Sequence, residues 1–219
     1  MNRVFLEKYF STDRLNRYFT QYPDNEAKAI YLYEANIILS EALYTPLSLL
    51  EVSLRNKISI ELQHKFGRPD WYAEWYKHPV MCHAWNEINT SIRHLHEDRK
   101  PIVPDKIIAS LMFGFWTSLF NDRYERELWG HLRFVFPFMP KAIRQRKNIS
   151  GPLNDIRRAL RNRIYHNEPV VFNLKSLHTH YTNILQLLDW MGADLLAYNK
   201  IRDRFTNTLT NVTTQLDTL

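Results

Sequence analysis

A short basic segment of this chain contains the residue types that handle phosphate esters. Residues 161–166 read Arg-Asn-Arg-Ile-Tyr-His. In an α-helix, Arg161 and His166 are separated by about 7.5 Å along the axis, so both side chains can reach one phosphodiester lying over the last turn. Asn162 and His166 are four residues apart and share a face. An exposed basic helix end is the alternative interpretation, because Arg and His suit the C-terminal end of the helix dipole.

A second set of residues places a carboxylate on an apolar helix face. The stripe of this predicted helix consists of Leu47, Leu50, Leu54, Ile58 and Leu62. Glu51 falls inside the stripe, and Arg55 follows at its edge, four residues later, in the favourable acid-then-base order. Burying an unpaired carboxylate is costly, so Glu51 is predicted to pair with Arg55. The pair is either a buried structural ion pair or a carboxylate that orients an arginine next to a site.

The positive charge of the chain is concentrated in one block. The net charge is +6, and residues 141–163 alone carry +7. The eight basic residues of this block are Lys141, Arg144, Arg146, Lys147, Arg157, Arg158, Arg161 and Arg163, opposed only by Asp155. A localised basic block is typical of a protein with a phosphate-bearing partner. A solvated helix face followed by a basic loop is the alternative.

The sequence lacks the common motifs of metal and nucleotide sites. His94 and His96, like His178 and His180, are two residues apart and face different sides of a helix. There is no Cys-x2-Cys, His-Glu-x2-His, Walker A or Gly-x-Gly-x2-Gly motif. No Gly-x-Ser-x-Gly elbow is present, although a Ser/His/Asp triad stays open. The sequence therefore predicts no metal and no cofactor.

Composition favours an all-α protein with a sizeable core. The 219 residues are 45% hydrophobic, and only five are glycine, which argues against a turn-rich β-sandwich or barrel. The single cysteine, Cys82, cannot form an internal disulfide, which predicts a reducing, cytoplasmic setting. We expect no membrane association and no transmembrane helix, because the longest apolar run, near residues 111–116, is far shorter than the about 18 residues that a span needs. The N-terminus does not resemble a secretory signal.

Capping residues and prolines predict where the long helices of the first half begin and end. Asp24 is expected to cap a helix that ends near Leu43. Thr45 and Pro46 are expected to start a second helix, since proline is tolerated in the first turn. Gly67 is expected to end that helix, as glycine does at many helix C-termini.

The same signals define the second half. Ser150 is expected to cap the helix that carries residues 161–166, with Pro152 in its first turn, and Pro169 forbids helix just before it. Asn173 is expected to cap a long helix that ends near Trp190. The chain is predicted to form one domain, residues 1–219, in which residues 198–219 are a peripheral C-terminal tail.

Three segments together resemble a known family. Residues 156–169, IRRALRNRIYHNEP, resemble the Arg-x4–6-His signature of the HEPN superfamily. Residues 44–67 resemble the Glu-x3-Arg-Asn helix of Abi-like proteins, the bacterial abortive-infection proteins of the AbiD/AbiF type. Residues 109–120, ASLMFGFWTSLF, resemble that family's apolar stretch around one glycine. The three matches occur in family order within residues 11–190.

The resemblance implies an all-α, HEPN-like helical bundle with additional helices. It also implies a metal-independent endoribonuclease toxin of bacterial phage defence, in which the 2′-hydroxyl of RNA attacks the adjacent phosphate. His166 would act as the acid and base, and Arg161 would stabilise the charge on the phosphorane. Asn162 would hold His166 or contact RNA. Because one chain supplies one such histidine, the resemblance implies a homodimer in which two motifs face each other.

The remaining site residues follow from the resemblance and the basic block. The expected supporting shell is Glu51, Arg55 and Asn56, and Tyr165 would stack on a base or pack in the dimer seam. The expected RNA-binding residues are Arg144, Arg146, Lys147, Arg157 and Arg158. An RNA antitoxin, a protein antitoxin or a modification of the motif would hold the toxin in check. Two alternatives stay open: a non-catalytic RNA-binding or regulatory protein, and a structural protein whose dimer buries the motif.

Overall fold

The computed structural model describes residues 2–219, which form helices and turns without a β-strand. This confirms the predicted all-α fold class. The α-helices are α1 (Arg3–Tyr9), α2 (Thr12–Gln21), α3 (Glu26–Phe66), α4 (Cys82–Glu97), α5 (Pro104–Ser110), α6 (Phe113–Ser118), α7 (Glu125–Leu132), α8 (Lys147–Asp155), α9 (Asn162–Tyr165), α10 (Leu174–Met191), α11 (Ala193–Arg202) and α12 (Phe205–Thr218). Short 3₁₀ turns lie at Trp75–Lys77, Asp122–Tyr124, Arg133–Val135 and Lys141–Ile143, and a π-helical segment at Ile156–Arg161.

The central helix, α3, is continuous over 41 residues. The predicted break at Thr45 and Pro46 is wrong, because Pro46 lies inside the helix and is buried. Proline removes one backbone hydrogen bond there, and the burial of apolar side chains on both sides of it offsets that cost. Asn25, rather than Asp24, caps the helix: its Oδ1 accepts from the N–H of Lys28 at 2.9 Å. Gly67 ends the helix with φ 69°, as predicted.

Helices α2, α6, α7, α10, α11 and α12 pack against α3. Apolar side chains from Leu6 in α1 to Leu216 in α12 form one continuous buried cluster, and α3 contributes the largest share of it. Near the C-terminal end of α3, Lys65 donates to the carbonyl oxygen of Glu127 in α7 at 2.6 Å. At the other end, Nδ2 of Asn25 donates to the carbonyl oxygen of Leu219 at 2.8 Å. The core therefore extends along α3, and the first and last helices of the chain both contribute side chains to it.

By length and composition, α3 is also apolar enough to cross a membrane. An 18-residue window of this helix has a mean hydropathy of 1.4, and 39% of that window is buried inside the bundle. The apolar stretch of α3 is thus longer than the run near residues 111–116 on which the sequence argument depends. The core helix of a bundle has the same apolar composition, and α3 packs against α2, α7, α10, α11 and α12.

The C-terminal tail is more firmly packed than the sequence predicts. Residues 198–219 form the end of α11 and all of α12, and α12 lies along α3. Phe205 is fully buried against Tyr181, with ring centroids 4.4 Å apart, and Val212 and Leu216 are also buried. Arg204 forms an exposed ion pair with Glu41 of α3 at 3.0 Å. The expectation of a peripheral tail is corrected, because the apolar face of α12 completes the core.

Helices α8 and α9 and the π-helical segment between them form one unbroken helical rod, residues 147–165, which we call the motif helix. It begins at Lys147, so Ser150 is not its cap, and Pro152 lies in its interior rather than in its first turn. Without an N–H, Pro152 cannot bond the carbonyl four residues earlier, and the π-helical turn follows it closely. The helix ends at Tyr165, and Asn167 has φ 55°. The end before Pro169 agrees with the prediction, as does the Asn173 cap of α10.

Candidate functional site

The first residue of the motif, Arg161, lies where the motif helix meets α3. Its Nε is 3.5 Å from Oε2 of Glu51, and the two side chains are 13% and 23% exposed, respectively. Its guanidinium carbon is 4.3 Å from the ring centroid of Tyr165, a cation–π distance. The predicted pair between Glu51 and Arg55 is therefore wrong. Arg55 instead directs its Nε to Oδ1 of its neighbour Asn56 at 3.2 Å.

Glu51, Arg161 and Tyr165 form a half-buried group that we call the motif cluster. Burial is the main cause that raises the pKa of the Tyr165 hydroxyl, and the negative charge of Glu51 raises it further, while Arg161 opposes the shift. Tyr44, on the same side of α3, also raises the pKa of Tyr165 and is 56% exposed. Glu51 occupies an apolar stripe because the motif helix brings it a cation. Glu51, predicted as a supporting residue, and Arg161, predicted to stabilise the phosphorane, are thus direct partners.

His166 follows the last residue of the motif helix and is exposed. Its backbone N–H donates to the carbonyl oxygen of Asn162 at 3.0 Å. Within residues 2–219 the His166 imidazole forms no hydrogen bond and no ion pair. In particular, the side-chain amide of Asn162 does not bond to it. The connection between the two residues is therefore made through the backbone. An exposed imidazole is free to exchange a proton with a bound substrate.

The segment after His166 is held by two contacts that the sequence argument missed. Nη2 of Arg14 in α2 donates to the carbonyl oxygen of Asn167 at 2.6 Å. Oδ1 of Asn36 in α3 accepts from the N–H of Val170 at 2.7 Å, and Asn36 is only 5% exposed. Asn36 is a polar residue on an otherwise apolar face of α3. The sequence pattern that identifies Glu51 could therefore have identified Asn36 as well. These contacts fix the position of the turn that carries His166.

Arg144 and Arg146 from the basic block are engaged inside the chain. Arg144 donates through Nη2 to the carbonyl oxygen of Pro137 at 2.7 Å and through Nε to that of Met139 at 3.0 Å. Arg146 is 12% exposed and pairs with Asp122 and, at 2.9 Å, with Glu125. Arg146, next to the first residue of the motif helix, ties that helix to the start of α7, whereas Arg144 bonds only the loop that precedes it. Their predicted role in RNA binding would require these intramolecular contacts to be given up.

The other three expected RNA-binding residues differ in exposure. Lys147 and Arg158 are exposed, whereas Arg157 is half-buried and its Nε has no hydrogen-bond acceptor within residues 2–219. Arg157 passes Gly114 of α6, where a Cβ would lie 3.5 Å from its Nη1. Burial raises the pKa of the Glu87 carboxyl, and the charge of Arg157 partly opposes that shift. Lys147 and Arg158 are thus the members of this set that face solvent freely.

The described residues bring together no group of three His, Cys, Asp or Glu side chains that could hold a metal ion. Separate searches of protein-family models, curated proteins and solved structures found no match to the chain.

Proposed function

We propose that this chain is a metal-independent endoribonuclease toxin of bacterial phage defence, acting in the cytoplasm as a homodimer. The observation that supports it most strongly is the motif cluster: a half-buried arginine held by a carboxylate, five residues before an exposed histidine. Arginine is suited to phosphate because its planar fork matches two phosphate oxygens. An RNA or protein antitoxin would restrain such an enzyme.

In the proposed reaction RNA supplies its own nucleophile. His166 removes the proton of the 2′-hydroxyl, whose oxygen attacks the adjacent phosphorus while the bond from phosphorus to the 5′-oxygen breaks. The departing 5′-oxygen takes a proton from a second acid, His166 of another copy of the chain. The products are a 2′,3′-cyclic phosphate and a 5′-hydroxyl. Arg161 stabilises the negative charge that develops on the phosphorane.

Glu51 acts in this proposal as a positioning residue. The 3.5 Å distance between Glu51 Oε2 and Arg161 Nε is an ion pair without a hydrogen bond, since Nε has no acceptor within residues 2–219. The carboxylate thus limits where the guanidinium can point and leaves its terminal Nη donors for a phosphate, whereas Nε is buried. Arg55, one turn after Glu51 on α3, and Asn162, next to Arg161, are proposed to contact RNA, as are the exposed Lys147 and Arg158.

The surface beside the motif cluster supports a dimer. Ile37, Tyr44 and Glu51 recur every seven residues on α3 and so share one face. Ile37 is 53% and Tyr44 56% exposed, and Tyr165 beside them is 47% exposed. Exposed apolar side chains grouped on one face are typical of an interface. A second copy seated on this face would bring its own His166 towards the first motif cluster.

Cleavage of a labelled single-stranded RNA in EDTA tests the proposal. The wild-type chain is expected to cut it and to leave 2′,3′-cyclic phosphate ends, and a DNA oligonucleotide of the same sequence should stay intact because it lacks the 2′-hydroxyl. His166→Ala should abolish cleavage and keep RNA affinity, whereas Arg161→Ala should reduce both. His178→Ala, a change at an exposed histidine of α10, is the matched control. Cutting by His166→Ala, or cutting that requires added magnesium, would contradict the mechanism.

The proposed biological role has its own test. Expression of the wild-type chain in bacteria should arrest growth, whereas expression of His166→Ala should not. RNA binding without cleavage, and without growth arrest, would favour the alternative of a non-catalytic RNA-binding or regulatory protein.

A further inference from the structure

A cavity of about 190 Å³ lies between α2, the motif helix and α10. Arg17 of α2, Arg163 of the motif helix and His180 of α10 line it, together with Phe172 and Ser176. Arg163 is two residues from Arg161 and therefore projects from nearly the opposite side of the helix. This cavity is thus separate from the motif cluster.

Two nitrogen atoms of residues that line this cavity are buried without a hydrogen-bond partner among residues 2–219. One is Nε of Arg163, for which Oε2 of Glu168, at 3.7 Å, is too distant to be an acceptor. The other is Nδ1 of His180, whose Nε2 lies 3.1 Å from Oγ of Ser176. When the serine hydroxyl donates to Nε2, the proton of the imidazole is on Nδ1 and requires an acceptor. Unpaired buried polar groups are costly, so a guest with several acceptor atoms is stabilised once Arg163 and His180 turn these donors, which solvent does not reach in the free chain, towards the cavity.

The positive charge of the residues that line the cavity favours an anionic ligand. Two guanidinium groups line the cavity, and no Asp or Glu of the described residues does. Glu168 is the carboxylate nearest to Arg163 and is itself exposed, so its loose ion pair neutralises little of that charge. The guanidinium carbon of Arg17 lies 5.2 Å from the ring centroid of Phe172, which keeps this exposed arginine beside the cavity.

We propose that this cavity binds a phosphate group, held by Arg17, Arg163 and His180. Its volume is below the about 300 Å³ at which pockets for drug-sized molecules begin, and it suits a small oxyanion. Arginine forks and an imidazole N–H are the donors that recognise such oxygens. The phosphate is either free in solution or part of an RNA chain. The proposal does not depend on RNA cleavage at the motif cluster.

Calorimetric titration with inorganic phosphate, against chloride at equal ionic strength, tests this site. Saturable binding is expected for the wild-type chain and should weaken by about tenfold or more in Arg17→Gln and in Arg163→Gln, because each removes a charged donor. Arg202→Gln removes an exposed charge at the end of α11, outside the cavity, and should bind like the wild type. Arg17 is exposed, so Arg17→Gln keeps the fold and carries the test even if Arg163→Gln unfolds.

A second experiment distinguishes the two sources of phosphate. The affinity for an RNA oligonucleotide is measured with and without competing inorganic phosphate. Competition that disappears in Arg17→Gln would assign the cavity to an RNA phosphate, and RNA affinity that is indifferent to free phosphate would assign it to a free anion. Absence of saturable phosphate binding by the wild type, or equal binding by wild type, Arg17→Gln and Arg163→Gln, would overturn the proposal.

Discussion

Oε2 of Glu51 lies 3.5 Å from Nε of Arg161, so a carboxylate of the central helix faces the first arginine of the motif. Both side chains are mostly buried, and Tyr165 covers the guanidinium at 4.3 Å. Through this ion pair, the central helix α3 positions Arg161, the residue proposed to bind the phosphate. It also explains why an acidic residue is present in an apolar helix stripe.

Replacing Glu51 by Gln is expected to lower the free energy of unfolding by about 1–3 kcal/mol. The value lies between those of exposed and fully buried ion pairs, because the two side chains are partly exposed. Chemical denaturation measures it. Glu41→Gln is the control, since the pair of Glu41 with Arg204 is about two-thirds exposed and should contribute less than about 1 kcal/mol. Equal effects of the two substitutions would show that Glu51 and Arg161 do not pair in solution.

Arg146 and Lys147 are adjacent but should respond to substitution in opposite ways. Arg146→Gln is expected to destabilise the fold by about 1–3 kcal/mol, chiefly because it leaves the carbonyl oxygen of Phe120 without its donor, since the carboxylates of Asp122 and Glu125 are 88% and 50% exposed. Lys147→Gln should leave the melting temperature unchanged. It should weaken RNA binding and reduce the slope of log affinity against log salt by about 0.7, the value for one single-strand phosphate contact. A stable Arg146→Gln protein with impaired RNA binding would reverse these two assignments.

Buried tyrosines should make the protein sensitive to alkali. Burial raises the pKa of Tyr18 to about 12 and that of Tyr72 to about 12, against about 10 in an unfolded chain. Their contribution to stability is complete below pH 10 and is lost between about pH 10 and 12, at up to about 1.4 kcal/mol per pH unit for each tyrosine. Denaturation at several pH values measures this loss. Tyr18→Phe should make it shallower, and Tyr76→Phe, at an exposed tyrosine, should not. The same pH dependence in wild type and Tyr18→Phe would contradict the role of burial.

Two glycines are expected to respond oppositely to alanine. Gly114 lies in α6, and an alanine Cβ there would be 3.5 Å from Nη1 of Arg157, an ordinary contact distance. Gly114→Ala should therefore stabilise the fold by about 0.5–1 kcal/mol through higher helix propensity. Gly67 has φ 69° and open space around it, so Gly67→Ala should cost about 1–2 kcal/mol from backbone strain alone. Thermal denaturation of both variants checks these signs, and destabilisation by Gly114→Ala would mean that Arg157 cannot yield.

The proposed dimer interface makes a prediction about oligomeric state. Light scattering after size-exclusion chromatography should give the mass of two chains for the wild type. Tyr44→Glu should give the mass of one chain, because it places a charge in the proposed seam beside Glu51. Tyr198→Glu, at a similarly exposed tyrosine of α11, should leave the dimer intact. A wild-type monomer that still cleaves RNA would exclude the composite site.

Local signals explain what could be predicted from the sequence. The 3.6-residue periodicity indicates helices nearly throughout, and the caps at Gly67 and Asn173 and the stop before Pro169 depend only on neighbouring residues. The proline at position 46 misleads the same reasoning. Its local cost is about 3 kcal/mol, and the burial of α3 by several other helices is larger.

The sequence by itself determined the helical class, the spacing of Arg161 and His166, and the presence of a charge on an apolar stripe, because these are properties of single helices. Only the tertiary structure decided that Glu51 pairs with Arg161 rather than Arg55, and that Arg144 and Arg146 are bound within the chain. The physical reason is the sequence separation of the residues in contact. A side chain pairs with the oppositely charged group that packing brings nearest, and helices far apart in the sequence leave no local trace of that contact.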